Sequence, residues 1–482
     1  MYIFSYLLVI ICLVNILLAQ IIKQNVKVKT SEGTVIGFKE NDSNYYGFYG
    51  VPYGGKSSGE YRFKEAPPPS KYEELIANKT DILCAQPSPT GMIGVEDCLT
   101  LNIFTKDVNI TKPVIVWLGG EDYSETISVK NYLYKSFVDN DIVLIDVNYR
   151  LSIFGFLCLG VEEAPGNAGL KDVMQALKWI QNNIKAFGGD PNNIILLGHG
   201  SGAALVDLVT LSKHSNNLIS KAIAISGSAL SPWAVAYDPV SYAKSLSANL
   251  GIRLEDKNLI AKTLKATDAK KLTENINTFK FTNQSVLFAP CIENVKLKGW
   301  FLDDAPITLL KRKDYKPIPY IAGFVDKEGT IKIKEALNDN WFPRMQENFT
   351  HFLPIDLTFT DEHTKDNISR YIRKSYFGND MISNSTIESF LDYESDSLIK
   401  YPILKSVKER AKASKNSTWL FTFYYEGDQN NGWNNDGVHL KGVGHGAILD
   451  YIFDNVKSDT VNLQAKQSLV RRIVTFVKTG YV

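Results

Sequence analysis

One string gathers residue types that could do covalent chemistry. Leu197-Gly198-His199-Gly200-Ser201-Gly202-Ala203 sets a hydroxyl and an imidazole among three glycines. A nucleophile on a sharp strand-to-helix turn needs glycine on either side, so that no neighbouring side chain collides with it. Such a nucleophile serves acyl transfer when a base activates it and oxyanion donors face it. Metal chemistry has less support in the sequence. Six His and five Cys are too few and too scattered for a zinc-cluster protein, and no metal or other cofactor is expected.

The elements around that string must position it. Pro113–Leu118 and Ile142–Val147 read as buried strands, and Asn193–Leu197 as a third. Ala168–Ala186 carries Leu170, Val173, Met174, Leu177, Ile180 and Ile184 at helical period and ends at Gly188-Gly189-Asp190-Pro191. Ala203–Leu211 reads as the helix after the turn, and Trp419–Tyr425 as a late strand. Strand, helix, strand, tight Gly turn and helix is the pattern of a parallel α/β sheet. The chain of 482 residues has 53 Lys+Arg against 52 Asp+Glu and is 44% hydrophobic. That balance argues against nucleic-acid binding and against a mainly disordered chain.

Several features point to the secretory route. Residues 2–19 form an uncharged apolar run that reads as a signal peptide (1–19), with an uncleaved anchor as the alternative, followed by one domain over 20–482 with no further span. Asn-X-Ser/Thr sequons occur at Asn41, Asn78, Asn109, Asn283, Asn348, Asn367, Asn384 and Asn416. With Cys12 in the leader, four Cys stay in the mature chain. Cys84 and Cys98, if paired, would stabilise by roughly 3 kcal/mol. Cys158 and Cys291 sit in apolar strings and read as buried free thiols.

From about residue 30 onward the chain resembles the type-B carboxylesterase/cholinesterase family. The blocks that carry the likeness are GFYGVPYG at 47–54, EDCLTLNIF at 96–104, VNYRL at 147–151 and GFL at 155–157. They continue with NAGLKDVMQALKWIQNNIKAFGGDP at 167–191, SGSALSPWA at 226–234 and VGHGAILDYIF at 443–453. The resemblance implies an α/β-hydrolase fold, a central mostly parallel β-sheet flanked by helices, and a Cys84–Cys98 disulfide. It also implies that Gly200 stands at the nucleophile position, Glu328 at the acid and His445 at the base. The family's glycine-rich oxyanion string reads Trp117-Leu118-Gly119-Gly120-Glu121-Asp122-Tyr123 here, so Glu121 and Asp122 replace the second and third glycines next to Gly120.

These departures set the functional expectation. Glycine offers no group to acylate, and two carboxylates near a developing oxyanion oppose its charge. Glu328 and His445 then persist as a buried hydrogen-bonded pair, while His199 need be only a turn residue and the charges of 327–335 a solvated face. Family members with a non-nucleophile at the elbow include the neuroligins, neurotactin and glutactin, so the resemblance implies a secreted, non-catalytic protein that binds an unknown extracellular protein. Two alternatives stand beside it: an atypical carboxylic ester hydrolase using Ser201 or a His445-activated water, and a carrier of a lipophilic ligand. The chain stops at Phe476-Val477-Lys478-Thr479-Gly480-Tyr481-Val482, short of the long final helix that often takes part in dimerisation in the family, which leaves the oligomeric state open.

Overall fold

The structure is a computed structural model that describes residues 25–40, 43–126, 134–276, 281–413, 415–427, 440–453 and 460–482. The leader, Cys12 and the Asn41 sequon lie outside the described residues. In chain order the strands are β1 (Asn25–Lys29), β2 (Thr34–Lys39), β3 (Tyr46–Pro52), β4 (Glu74–Ile76), β5 (Gln86–Ser88), β6 (Gly91–Ile93) and β7 (Thr100–Thr105). Then follow β8 (Lys112–Leu118), β9 (Val143–Val147), β10 (Gly189–His199), β11 (Lys221–Ile225), β12 (Tyr320–Val325) and β13 (Thr418–Phe423). Eleven of them form one sheet in the order β1-β2-β3-β7-β9-β8-β10-β11-β12-β13, with β4 added beside β2; β5 and β6 make a separate ribbon. From β9 to β13 every pairing is parallel, whereas β1, β2, β3, β7 and β9 pair antiparallel in succession. The sheet is therefore mostly parallel through its centre, as expected.

Alternation along the central strands builds a core on each face. In β8, Val114, Val116 and Leu118 join the cluster under the helices Ala168–Asn183 and Ser201–Leu211. Ile115 and Trp117 point the other way, where Leu469, Ile473 and Val477 of the helix Thr460–Thr479 cover them. This period of two is what a strand buried on both sides requires. The helix predicted over Ala168–Ala186 forms over Ala168–Asn183, followed by a tight turn of 3₁₀ helix at Ile184–Phe187 that Gly188 closes at φ +77°. A third aromatic cluster, with Trp341, Phe342, Phe349 and Phe390, forms a helical cap between β12 and β13 in the chain. After β8 the chain adds β9 on one side and then β10 on the other, and such a switch point opens a crevice at the carboxyl ends of the strands.

Two disulfides staple the described chain. Cys84–Cys98 forms as the resemblance implies. Cys158 and Cys291 are not free thiols: they pair with each other across a sequence separation of 133. Their apolar surroundings are real, since both are almost fully buried, but the pairing is tertiary. Asn167 bridges the Cys291 backbone through both its amide atoms, at 2.8 Å each, and so fastens the two segments side by side.

Candidate active site

Two strand ends deliver the centre of the site. β10 ends at His199, and Gly200 turns the chain at φ +55°, ψ −124° into the fully buried helix Ser201–Leu211. This backbone region suits glycine and strains other residues, which is how an elbow displays a side chain in an active enzyme. Two residues later Gly202 is obligatory for another reason, because a Cβ there would collide with the Leu118 carbonyl at the end of β8. The elbow itself is intact; what it lacks is a side chain to display.

The acid and the histidine are in place. Glu328 Oε2 lies 2.6 Å from His445 Nδ1, and Glu328 Oε1 accepts from Ser226 Oγ at 2.6 Å and from the Val325 N–H at 2.8 Å. The His445 N–H donates to Thr330 Oγ1, and the Lys327 N–H to the Val443 carbonyl, so the two loops are pinned together. Glu328 is wholly buried and His445 nearly so. Burial would raise the Glu328 carboxyl, but His445, Ser226 and the Val325 amide outweigh it and hold it below the usual carboxylate range. Ser226 contributes directly to this arrangement and was not singled out from sequence, although it opens the SGSALSPWA block.

The unexpected member is Glu121. A Cβ built on Gly200 would lie 2.6 Å from Glu121 Oε2 and 2.9 Å from its Oε1. The carboxylate thus fills the space into which a nucleophile would project. From there Oε2 faces His445 Nε2 at 3.3 Å, and Oε1 faces His199 Nδ1 at 3.0 Å. A chain of four groups results: Glu328, His445, Glu121, His199. Desolvation opposes a charged ring at His445, yet the carboxylates of Glu121 and Glu328 on either side push it up to about 10. Glu121 lies deep among protein atoms, which disfavours its charge, but His445 and His199 hold its carboxyl far below the ordinary range. Even so, 36% of its side chain is reached by solvent, so the charge sits at an opening.

His199 is therefore more than a turn residue. It is 1% exposed, its ring lies 4.7 Å from that of His445, and its Nε2 has no hydrogen-bond partner. Ser201 is equally buried; its Oγ makes no hydrogen bond, to His445 or any other group. The oxyanion string is remodelled rather than merely charged. The Glu121 N–H donates to the Glu125 carbonyl at 2.9 Å in a tight turn, and Asp122 and Tyr123 occupy φ +49° and +55° without being glycine. Gly120 retains φ +141°. Asp122 points toward Lys332, at 3.9 Å, beside a cavity of about 200 Å³ that Phe281, Leu287 and Trp341 also line.

The 327–335 run is not a solvated face. Glu328 is buried in the site, Lys327 pairs with Glu388 and Asp392, and Lys332 pairs with Glu335 and faces Asp122. His and Cys are expected from sequence to be too few and too scattered for a zinc cluster, yet two His converge with a carboxylate: Glu121, His199 and His445 bring their ligand atoms within 4.8 Å of one another. The sequons at Asn78, Asn109, Asn348, Asn367, Asn384 and Asn416 are exposed and Asn283 is half-buried.

A mostly parallel sheet whose strand ends present an elbow, then an acid, then a histidine in chain order is an α/β-hydrolase. Residues 24–481 match the carboxylesterase family, and the chain belongs to it. It is 31% identical over 431 residues to venom carboxylesterase-6 of Apis mellifera, covering 84% of this chain and 76% of that one. With a juvenile hormone esterase of Heliothis virescens it shares 30% over 465 residues, covering 90% and 80%. A juvenile hormone esterase from Manduca sexta, solved with OTFP covalently attached, superposes with a TM-score of 0.85 at 27% identity, over 95% of this chain and 91% of that one.

Proposed function

We propose that this chain is a secreted member of the carboxylesterase family that has exchanged ester hydrolysis for binding an extracellular protein. The observation that carries the loss of hydrolysis is the Glu121 carboxylate in the space above Gly200, where it meets His445 Nε2 in place of a hydroxyl. Removing a nucleophile costs about 10⁶ in rate in a comparable triad. The residual rate that survives such a loss comes largely from the oxyanion hole. Here the Glu121 amide is engaged by Glu125, and an anion stands where charge would develop. Two disulfides and a set of exposed sequons suit an oxidising, extracellular setting. No helix among the described residues is long and apolar enough to cross a membrane.

The rival reading is hydrolysis through Ser201 or a water activated by His445. It draws on the 2.6 Å Glu328–His445 contact and on the esterase names of the relatives. Turnover of a short activated ester, measured with a chelator present and beside a His445→Ala variant, separates the two. Rates equal to the variant and to buffer are expected. A rate well above buffer that disappears in the variant, or labelling of Ser201 by an active-site-directed phosphonate, would overturn the proposal.

A further inference from the structure

The elbow gathers two carboxylates and two imidazoles into one chain of contacts. Among the described residues no Lys or Arg pairs with Glu121 or Glu328, whose ion-pair contacts run to His199 and His445. Buried or half-buried charge of this kind is ordinarily paired or bound to a metal. The atoms that face one another are also of the right kind. We propose that Glu121, His199 and His445 form a binding site for a divalent first-row cation, zinc being the best match to two imidazoles and one carboxylate.

The geometry supports three ligands and an open position. A tetrahedral zinc with bonds of about 2.0–2.2 Å sets its ligand atoms roughly 3.3–3.6 Å apart. Glu121 Oε2 lies 3.3 Å from His445 Nε2 and Glu121 Oε1 lies 3.0 Å from His199 Nδ1, so each imidazole meets its own carboxylate oxygen, and one ligand atom from each residue can be chosen with all three within 4.8 Å of one another. The three side chains come from different, well-anchored places: the turn after β8, the last residue of β10, and the loop tied to Thr330. Behind His445, Glu328 grips Nδ1 at 2.6 Å and is itself held by Ser226 and Val325. A carboxylate on the far nitrogen is the usual support of a metal-bound imidazole, because it fixes the tautomer and the ring direction. The solvent-reached side of Glu121 leaves room for a water as fourth ligand.

A cation on His445 Nε2 would leave the Nδ1 side of the ring to Glu328, which already holds it.

The test uses the full secreted chain stripped with a chelator and dialysed. Titration with Zn²⁺ by calorimetry, and with Co²⁺ by its visible d–d absorption, reads stoichiometry and coordination directly. One site per chain with four-coordinate cobalt absorption is expected, weakened at least 10-fold in Glu121→Gln and in His199→Asn and unchanged in His351→Ala, whose histidine is exposed and remote from the elbow in sequence. Glu328→Gln should weaken binding by about 10–100-fold while leaving the stoichiometry at one. Thermal melting of each metal-free variant controls for folding. The proposal is overturned by absent 1:1 binding in the parent chain, or by binding that both Glu121→Gln and His199→Asn leave intact in folded protein. The result is independent of whether esters are hydrolysed.

Discussion

Two buried carboxylates, Glu293 and Glu121, show how differently this fold treats charge. Glu293 accepts from Lys171 Nζ at 2.7 Å, Asn167 Nδ2 at 2.6 Å, and the backbone N–H groups of Phe301 and Leu302 at 2.7 and 3.1 Å. Each oxygen has dedicated donors, and one lysine answers one charge. Glu121 shares its two oxygens between two imidazoles, one of them already committed to Glu328, and a third of its side chain faces solvent. A carboxylate knitted on all sides ties segments together. A carboxylate left partly open and under-compensated is free to meet something from outside.

The sharpest way to break this contrast is to remove the cation from the first region. Lys171→Met leaves Glu293 buried and uncompensated, and stranding one partner of a buried pair costs about 3–5 kcal/mol. The urea midpoint should fall accordingly at unchanged slope. A loss below about 1 kcal/mol would mean that the Glu293 knot stabilises no more than a surface ion pair. The same region holds the Cys158–Cys291 bridge, next to Asn167. The double variant Cys158→Ser, Cys291→Ser should lose about 2–4 kcal/mol, read by thermal melting with and without reductant.

That bridge also marks where the sequence stops being legible. Strands, the Ala168–Asn183 helix and the glycine elbow follow from local periodicity and turn chemistry, which act over a few residues. The identity of Gly200, Glu328 and His445 could be read off short matching blocks. Pairings that close only in three dimensions left no such trace. Cys158 and Cys291 are 133 positions apart, and Glu121 and His445 are 324 apart. Cys158 and Cys291 each read as an apolar thiol, and Glu121 as a charge in place of an oxyanion glycine, with nothing local to point at the partner. The charged run 327–335 misled for a related reason: its composition suits solvent, and Lys334 is exposed, but Glu328, Gly329 and Thr330 are buried and Glu328 holds His445.

A third carboxylate sharpens the scale between the two. Glu394 is 1% exposed, receives only the Gln284 amide at 3.2 Å on one oxygen, and has no partner on the other. Burial pushes it up to about 8, against the pull of Lys332 and Gln284. Its native pKa exceeds its unfolded one, so the native state binds more protons between pH about 4.5 and 8. The corresponding stability is fully present below that window and is lost as pH rises through 8. Melting at pH 5 and pH 9 should differ by at least ~1 kcal/mol more in the parent chain than in Glu394→Gln. Equal pH dependence would show Glu394 to be ionised and partnered, on the pattern of Glu293.

The smallest expected effect is the most telling for the elbow. Glu121→Gln keeps the shape of the side chain and removes its charge, and Gln can still hydrogen-bond to one imidazole. Because a third of Glu121 is solvent-exposed and His445 keeps Glu328, the loss of stability in metal-free protein should stay below about 1 kcal/mol, in the range of a screened ion pair. The urea midpoint at low and at high salt measures it, and salt should reduce the difference further. A loss of several kcal/mol, insensitive to salt, would place Glu121 with Glu293 as a structural tie, and the space above Gly200 would then be plugged for stability alone. A small, salt-sensitive loss instead leaves the plug as a charge the fold can do without, on a carboxylate that solvent reaches and another molecule or ion can meet.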